Sequence, residues 1–473
     1  MNDFIFRSKS GNNYFFSEKC KMIIYLSNKY LADMNRESSY SSKKKAFFMK
    51  YGLFDTLKPQ LVSTYAKNTI KGNLANLRML LIEVTDECNL ACKYCGYRDL
   101  YNNYDERYGK KQDFNNVKAL IDYLNKLWQS NNNLSYNTQI VVGFYGGEPL
   151  LCFSLIRKII EYLESLEIDG LSFQYNMTTN AVLLNKYMDY LVDKEFRLLI
   201  SLDGNRNNNA YRITKYGSES FEVVNNNILL MKKKYPNYFE KYVQFNSVLH
   251  NKNSMDDIYN YINDSFDKIP TVAELNTNGV AEDKKEEFNL IFKNKIIKTH
   301  QNNHKTLDTR YLLENSNLVK LNNFVRTFVS NIYDNYADLF IDENKQKYIP
   351  TGTCEPFGRK LFFTVNGKIL PCERIGHGSP IAFVKNGIVD IDYNYVKEVY
   401  SKTIEALLPQ CEDCLLWKNC SYCVFLMPEI NGRKKCDRYL SFNKVDIYFS
   451  YYISYIENNT FLYEKIMNEI NID

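Results

Sequence analysis

Six apolar runs recur between residues 77 and 277: LRMLLIEVT (77–85), TQIVVGFY (138–145), LSFQYNMTT (171–179), RLLISLD (197–203), YVQFNSVLH (242–250) and TVAELNT (271–277). Amphipathic stretches separate them. Between the first two, Val117, Leu120, Ile121, Leu124 and Leu127 share one helical face. Further helices are expected near 153–167, 182–195, 219–233 and 253–264. A strand that returns in the same direction needs a crossover, and a helix supplies it. The alternation therefore predicts an α/β chain with a parallel sheet. Six such units suit a partial (β/α)6 barrel of the TIM type, whose functional groups gather at the C-terminal ends of the strands.

With 473 residues the chain exceeds a single core, and three regions are expected. In residues 1–75, FIF and YFF flank the turn-like RSKSGNN and predict a hairpin. SEKCKMIIYLSNKYLADM (17–34) then reads as a helix capped by Ser17, and 58–76 reads as a polar linker. The barrel fills 76–350, with 282–350 charged, Asn-rich and helical. A cysteine-rich region occupies 351–473, and 443–471 reads as one helix. The net charge of +5 is too small to mark a nucleic-acid or anionic-membrane partner. No apolar signal region opens the chain, and the most apolar late stretch, IYFSYYISYI, is about half of a bilayer span. A cytoplasmic location is expected, where twelve cysteines point to metal or redox chemistry rather than disulfides.

Three of those cysteines, Cys88, Cys92 and Cys95, follow the first strand with the spacing C-x3-C-x2-C. A structural zinc site normally closes with four ligands. Here the next cysteine is Cys152 and no histidine is near. A [4Fe–4S] cluster held by three thiolates leaves one iron open to an outside ligand, so three suits a cluster that binds a cofactor directly.

This spacing, with the aromatic Tyr94 before the last cysteine, resembles the radical S-adenosylmethionine (SAM) superfamily. The resemblance implies that Cys88, Cys92 and Cys95 hold the SAM-binding cluster and that the open iron chelates SAM. It further implies reductive cleavage of SAM to a 5′-deoxyadenosyl radical. The turn after the second strand, Gly146-Gly147-Glu148-Pro149, matches the superfamily's GGEP element, which approaches the cofactor's amino group. Ser201 and Asp203 in SLDG stand where relatives bind the ribose, and Arg212 where they bind the carboxylate. Relatives place a His-Asp pair before that arginine, and this chain has NNNAYR instead. Val248 and Leu249 resemble the adenine-contacting segment.

The C-terminal cysteines run Cys354, Gly367, Cys372, then Cys411, Cys414, Cys420, Cys423 and Cys436. Their order resembles the SPASM extension of radical SAM enzymes, except that two residues rather than three separate Cys420 from Cys423. A zinc ribbon is the plainer alternative for C-x2-C pairs. The resemblance implies two auxiliary [4Fe–4S] clusters. Cys411, Cys414, Cys420 and Cys436 would close the outer one. Cys354, Cys372 and Cys423 would hold the inner one, leaving an open iron position for a substrate thiolate. Cys20 and Cys152 are left as packed thiols. Enzymes of this architecture modify ribosomally made peptides, and many hold the peptide's leader on an N-terminal winged-helix-like element. The expected activity is a peptide maturase that forms a thioether from a substrate cysteine. Its expected partners are a leader-bearing precursor peptide and an electron donor such as flavodoxin or ferredoxin. Alternatives are formylglycine formation, as in sulfatase maturases, carbon–carbon crosslinking, and a non-catalytic cluster or electron carrier. Glu274, near the end of the sixth strand, could face the substrate from the same rim, but an ordinary charged strand-end residue is the favoured reading.

Overall fold

A computed structural model of the chain describes residues 5–18, 20–35, 38–55, 60–134, 138–166, 168–293, 316–328, 347–350, 354–417, 420, 422–430, 433–436, 438–441 and 444–469. Contacts divide it into two units, one of residues 64–303 and 354–401, the other of 1–63, 304–353 and 402–473.

The first unit is built on a ten-stranded sheet. Its parallel strands are β1 (Met79–Thr85), β2 (Thr138–Gly146), β3 (Leu171–Thr179), β4 (Arg197–Ser201), β5 (Val243–Val248) and β6 (Thr271–Ala273). They pair in sequence order, each neighbour parallel to the last. Helices Phe114–Trp128, Phe153–Glu164, Leu184–Asp193, Phe221–Lys234 and Met255–Phe266 make the crossovers. Asp113 caps the first through its carboxylate, and Ser254 caps the last through its hydroxyl. Leu80, Ile82, Val84, Val142, Phe144, Ile200 and Phe245 are fully buried, and β1 is buried from Leu80 to Thr85, as a strand covered on both faces is.

On the other side of β1 the sheet continues with β7 (Lys360–Phe363), β8 (Lys368–Leu370), β9 (Ala382–Lys385) and β10 (Ile388–Asp390). β7 runs parallel to β1, with Leu361 opposite Leu80, and the rest is antiparallel. The start of the cysteine-rich region is thus part of the barrel sheet. A further helix, Lys67–Ala75, stands inside the expected linker and buries Ile70, Leu74 and Ala75.

The second unit opens with a three-stranded antiparallel sheet, Ile5–Arg7, Asn13–Ser17 and Met22–Leu26. The first two strands are the expected hairpin. The third replaces most of the helix expected over 17–34, which begins only at Asn28. MIIYL is a short β-branched run, too brief for periodicity to separate strand from helix. It pairs along its length with Asn13–Ser17. Helix Ser39–Lys50 follows, capped by Ser38. Phe6 and Phe16 join Phe324, Phe328, Phe449 and Ile453 in one core, so the segments 1–63, 304–353 and 402–473 share their interior. The helix expected over 443–471 is two, Val445–Asn458 and Thr460–Glu469, broken at Asn459. Of 282–350, helices Lys285–Ile291 and Ser316–Phe328 are described, and the rest of the expected helix falls largely outside the described residues. Among the described residues no helix is long and apolar enough to cross a membrane.

Candidate active site

Thr85 ends β1, and its hydroxyl accepts the Glu87 amide at 3.0 Å, turning the chain into the cysteine loop. The turn after β2 grips this loop. The Gly147 amide donates to the Thr85 carbonyl at 2.9 Å and the Glu148 amide to the Glu87 carbonyl at 2.8 Å. A Cβ on Gly147 would fall 2.1 Å from the Glu87 oxygen and 2.8 Å from the Cys88 nitrogen. Only glycine lets the two backbones approach this closely. The other end of the loop is held by Ala91 and Lys93, whose amides donate to the carbonyls of Ile213 and Tyr211.

Cys88, Cys92 and Cys95 line one open cavity of about 1150 Å³. Of the expected cofactor contacts, Tyr94, Gly146, Gly147, Glu148, Ser201 and Arg212 line it too. Pro149, Asp203, Val248 and Leu249 are not part of its lining. Burial pushes the Cys88 thiol up to about 11 and the Cys92 thiol up to about 12. Bare thiolates are therefore disfavoured, and a bound cation would reverse that. Among the described residues no three His, Cys, Asp or Glu side chains close on a single metal ion. A cluster makes a different demand, since each thiolate takes its own iron. The donor set fits it: three sulfurs on one cavity, with the nearby Glu148 carboxylate already engaged.

Glu148 is fully buried. Burial pushes its carboxyl up to about 7, opposed by hydrogen bonds from the Asn180 amide and Thr179 hydroxyl, both at 2.8 Å, and the Leu150 amide at 3.1 Å. It ties the end of β2 to the end of β3. Asp203 is also fully buried. Its carboxylate accepts Arg212 Nε at 3.1 Å, Arg212 Nη2 at 3.2 Å, the Val248 amide at 2.9 Å and the Tyr94 hydroxyl. Although burial works against ionisation, the Arg212 guanidinium and these bonds hold its carboxyl below the usual range. Asp203, expected at a ribose, thus lies behind the cavity and anchors both Arg212 and Tyr94. Tyr94 in turn stacks on His250, with ring centroids 5.6 Å apart.

Several residues at the site gave no signal in the sequence. The Asn180 side chain reaches the Cys88 sulfur at 3.7 Å and Asn89 Oδ1 at 2.7 Å. Its place at the end of β3 was the only clue. Arg107 pairs with buried Glu83 at 2.8 Å and lies 3.4 Å over the Tyr97 ring. His377 is 3% exposed and faces Tyr97 and Tyr104.

The later cysteines fall into both units. Cys411, Cys414, Cys420 and Cys436 come together in the second unit. Burial pushes the Cys411 thiol up to about 12, and the other three add to that through their charge. Gln410 holds the Cys436 amide at 2.9 Å. Cys423 belongs to the same unit and lies near Lys434. Cys354 and Cys372 belong to the barrel unit, where the Cys372 sulfur accepts the Arg374 amide at 3.3 Å. Cys152 is buried, and the Cys20 sulfur lies 3.7 Å from the Tyr51 carbonyl. Glu274 follows β6 directly and is not part of the cavity lining.

Comparison with known proteins agrees with this geometry. Residues 82–264 match the family model of the Radical SAM superfamily. The radical SAM cyclopropyl synthase TigE of Paramaledivibacter caminithermalis is 25% identical over 40% of this chain and 38% of its own length. A cysteine-type anaerobic sulfatase-maturating enzyme of Clostridium novyi is 25% identical over 34% of this chain and 41% of its own. The chain thus spans less than half the length of the curated relatives it matches. The solved structure of native anSMEcpe with bound AdoMet shares the fold at a TM-score of 0.50 and 16% identity, covering 82% of this chain and 99% of that one. From β1 to the helix after β5, this chain carries a domain of the Radical SAM superfamily.

Proposed function

We propose that the chain is a radical SAM peptide maturase that forms a thioether from a cysteine of a ribosomally made precursor. One observation carries the reading: three thiols, the Gly146–Gly147 turn and Arg212 open onto a single cavity at the strand ends. Cys88, Cys92 and Cys95 would hold the cluster, and Arg212 would meet the SAM carboxylate. When bound, cluster and SAM supply the reductive cleavage of the sulfonium and a 5′-deoxyadenosyl radical that takes hydrogen from the peptide. The chain's own share is placement. Asp203 fixes the Arg212 guanidinium, and the Gly147 and Glu148 amides fix the cysteine loop. The thioether reading requires a C–H and an S–H bond to be lost as the C–S bond forms. Two auxiliary [4Fe–4S] clusters would take the surplus electron. The gathering of Cys411, Cys414, Cys420 and Cys436 supports the outer one. Cys354, Cys372 and Cys423 are proposed for the inner one.

A leader-bearing peptide is the proposed partner, taken by strand addition. The strand Met22–Leu26 is at a sheet edge, with Met22 and Tyr25 half exposed, which supports that role. An external flavodoxin or ferredoxin is the proposed electron donor, and a cytoplasmic setting the proposed location. Similarity to a sulfatase-maturating enzyme and to a cyclopropyl synthase keeps formylglycine formation and carbon–carbon bond formation as the second reading. Anaerobic incubation with dithionite and SAM should release 5′-deoxyadenosine, and release that survives Cys92→Ala would sink the proposal. Mass spectra of a cysteine-bearing precursor peptide and of a sulfatase-motif peptide then separate the two readings.

A further inference from the structure

Five buried side-chain atoms with unused hydrogen-bonding capacity lie together at one wall of the cavity and just behind it. They are Asp86 Oδ1, Tyr97 Oη, Asn103 Oδ1, Arg107 Nε and His377 Nε2. The five residues are contiguous. Arg107 covers the Tyr97 ring at 3.4 Å and donates to the Asp86 carbonyl at 3.2 Å. The His377 amide donates to the Asn103 carbonyl at 2.8 Å, and its ring faces Tyr97 at 6.2 Å. Asp86, Tyr97 and Arg107 line the cavity directly. The Tyr97 hydroxyl interacts with Tyr145, which leaves it further donor or acceptor capacity. A buried polar atom left unpaired is costly unless something fills it.

This wall is separate from the Arg212 side. Asp86 and Glu83 stand at the end of β1 and Tyr145 at the end of β2, whereas Asp203 and Arg212 follow β4. β3 lies between β2 and β4 in the sheet. The charges here are largely spoken for. Arg107 Nη2 pairs with Glu83 at 2.8 Å, and Asp105 pairs with Lys368 at 2.6 Å and with His377 Nδ1 at 3.3 Å. The unfilled atoms are of both kinds. Asp86 and Asn103 offer acceptors, Arg107 Nε offers a donor, and Tyr97 and His377 can do either. An anion would satisfy only the donors and a cation only the acceptors. A group carrying N–H and C=O together satisfies both.

We propose that Asp86, Tyr97 and Arg107, backed by His377, form a subsite for a peptide amide of the substrate. The identity of that ligand rests on the peptide-maturase reading. The subsite's position fits the chemistry, because Cys95, Tyr97 and Tyr104 line the same cavity and the Tyr104 hydroxyl bonds the carbonyl of Arg374, two residues past Cys372. A peptide held here lies between the loop that would carry the SAM-binding cluster and a loop assigned to the inner one.

The test uses anaerobically reconstituted holoenzyme and two probes, N-acetyl-L-cysteine N-methylamide and the corresponding methyl ester, which lacks one N–H. Binding is read by ligand-observed NMR relaxation, without turnover. The diamide should bind more tightly than the ester. Tyr97→Phe removes only the hydroxyl, and His377→Asn keeps an amide for Asp105 while removing Nε2. Each should weaken the diamide by about ten-fold, and by a larger factor than it weakens SAM. Equal binding of diamide and ester, or of wild type and both variants, would mean that ordinary water fills these atoms, and the proposal falls. A loss of SAM affinity as large as the loss of probe affinity overturns it as well. A probe that binds as expected, with no 5′-deoxyadenosine ever released, would instead sink the maturase reading and leave the subsite standing.

Discussion

At the scale of single residues the site is governed by close approach and by burial. Gly147 shows the first. Any side chain there drives a Cβ into the backbone of Glu87 and Cys88. Gly147→Ala should therefore displace the cysteine loop at a cost of about 1–3 kcal/mol. SAM cleavage and the loop's cluster signal by electron paramagnetic resonance should be lost, while the circular dichroism of the barrel survives. A normal cluster signal in that variant would show that the two turns are not coupled. His377 shows the second. Burial lowers its affinity for a proton, with Asp105 opposing. In the unfolded chain a histidine titrates near ~6.5. Just below that pH the unfolded chain holds more protons than the folded one, so stability falls as pH drops. Glu148 works the other way over pH 5–7, since burial raises its carboxyl to about 7, but it is common to wild type and variant. The urea midpoint should therefore fall more from pH 7 to pH 5 in wild type than in His377→Asn. Equal slopes would show that His377 titrates alike in both states.

At the scale of elements, the unexpected piece is β7. It closes the open side of β1 with four paired residues, so β1 is flanked on both edges before it delivers Thr85 to the cysteine loop. Phe363 is fully buried on β7. Phe363→Ala should cost the barrel unit about 3–5 kcal/mol, read as a fall in its urea midpoint. A change under about 1 kcal/mol would make β7 an appendage. The barrel strands were legible because each is a long apolar run bounded by helices, and LSFQYNMTT coincides with β3 end to end. KLFF was not, because four residues carry no period and its partner β1 lies far away in sequence. MIIYL was misread for the same reason, and only pairing with Asn13–Ser17 decides it. In the site, the cysteines and glycines were legible because their chemistry is tied to spacing. Asp203 stood out through its SLDG turn, but its bonds to Arg212, Tyr94 and Val248 did not, nor did His377, since these partners are brought near by folding alone.

At the scale of the whole chain, sequence order and structural unit part company. The N-terminal strands look like a detachable recognition module when read along the sequence. In the fold, the Phe16 ring lies tilted 4.6 Å from Phe449 and edge-on 5.5 Å from Phe328, and Phe6 lies 5.3 Å from Phe449. Glu457 is held by Ser8, Asn12 and Tyr14 at 3.1, 2.8 and 2.7 Å. The first 63 residues therefore supply part of the interior against which Val445–Asn458 folds, in the unit that gathers Cys411, Cys414, Cys420 and Cys436. Removing two buried phenylalanines alone would cost about 6–10 kcal/mol if their effects add, comparable to the whole stability of a typical domain. A chain beginning at residue 64 should thus lose the iron proposed at those four cysteines. Reductive SAM cleavage should persist, because Cys88, Cys92, Cys95 and Arg212 all lie in the other unit. Iron analysis and 5′-deoxyadenosine release on the same preparation separate the cases. A truncated chain with full iron content, defective only in handling its peptide, would show that the N-terminal strands serve recognition alone.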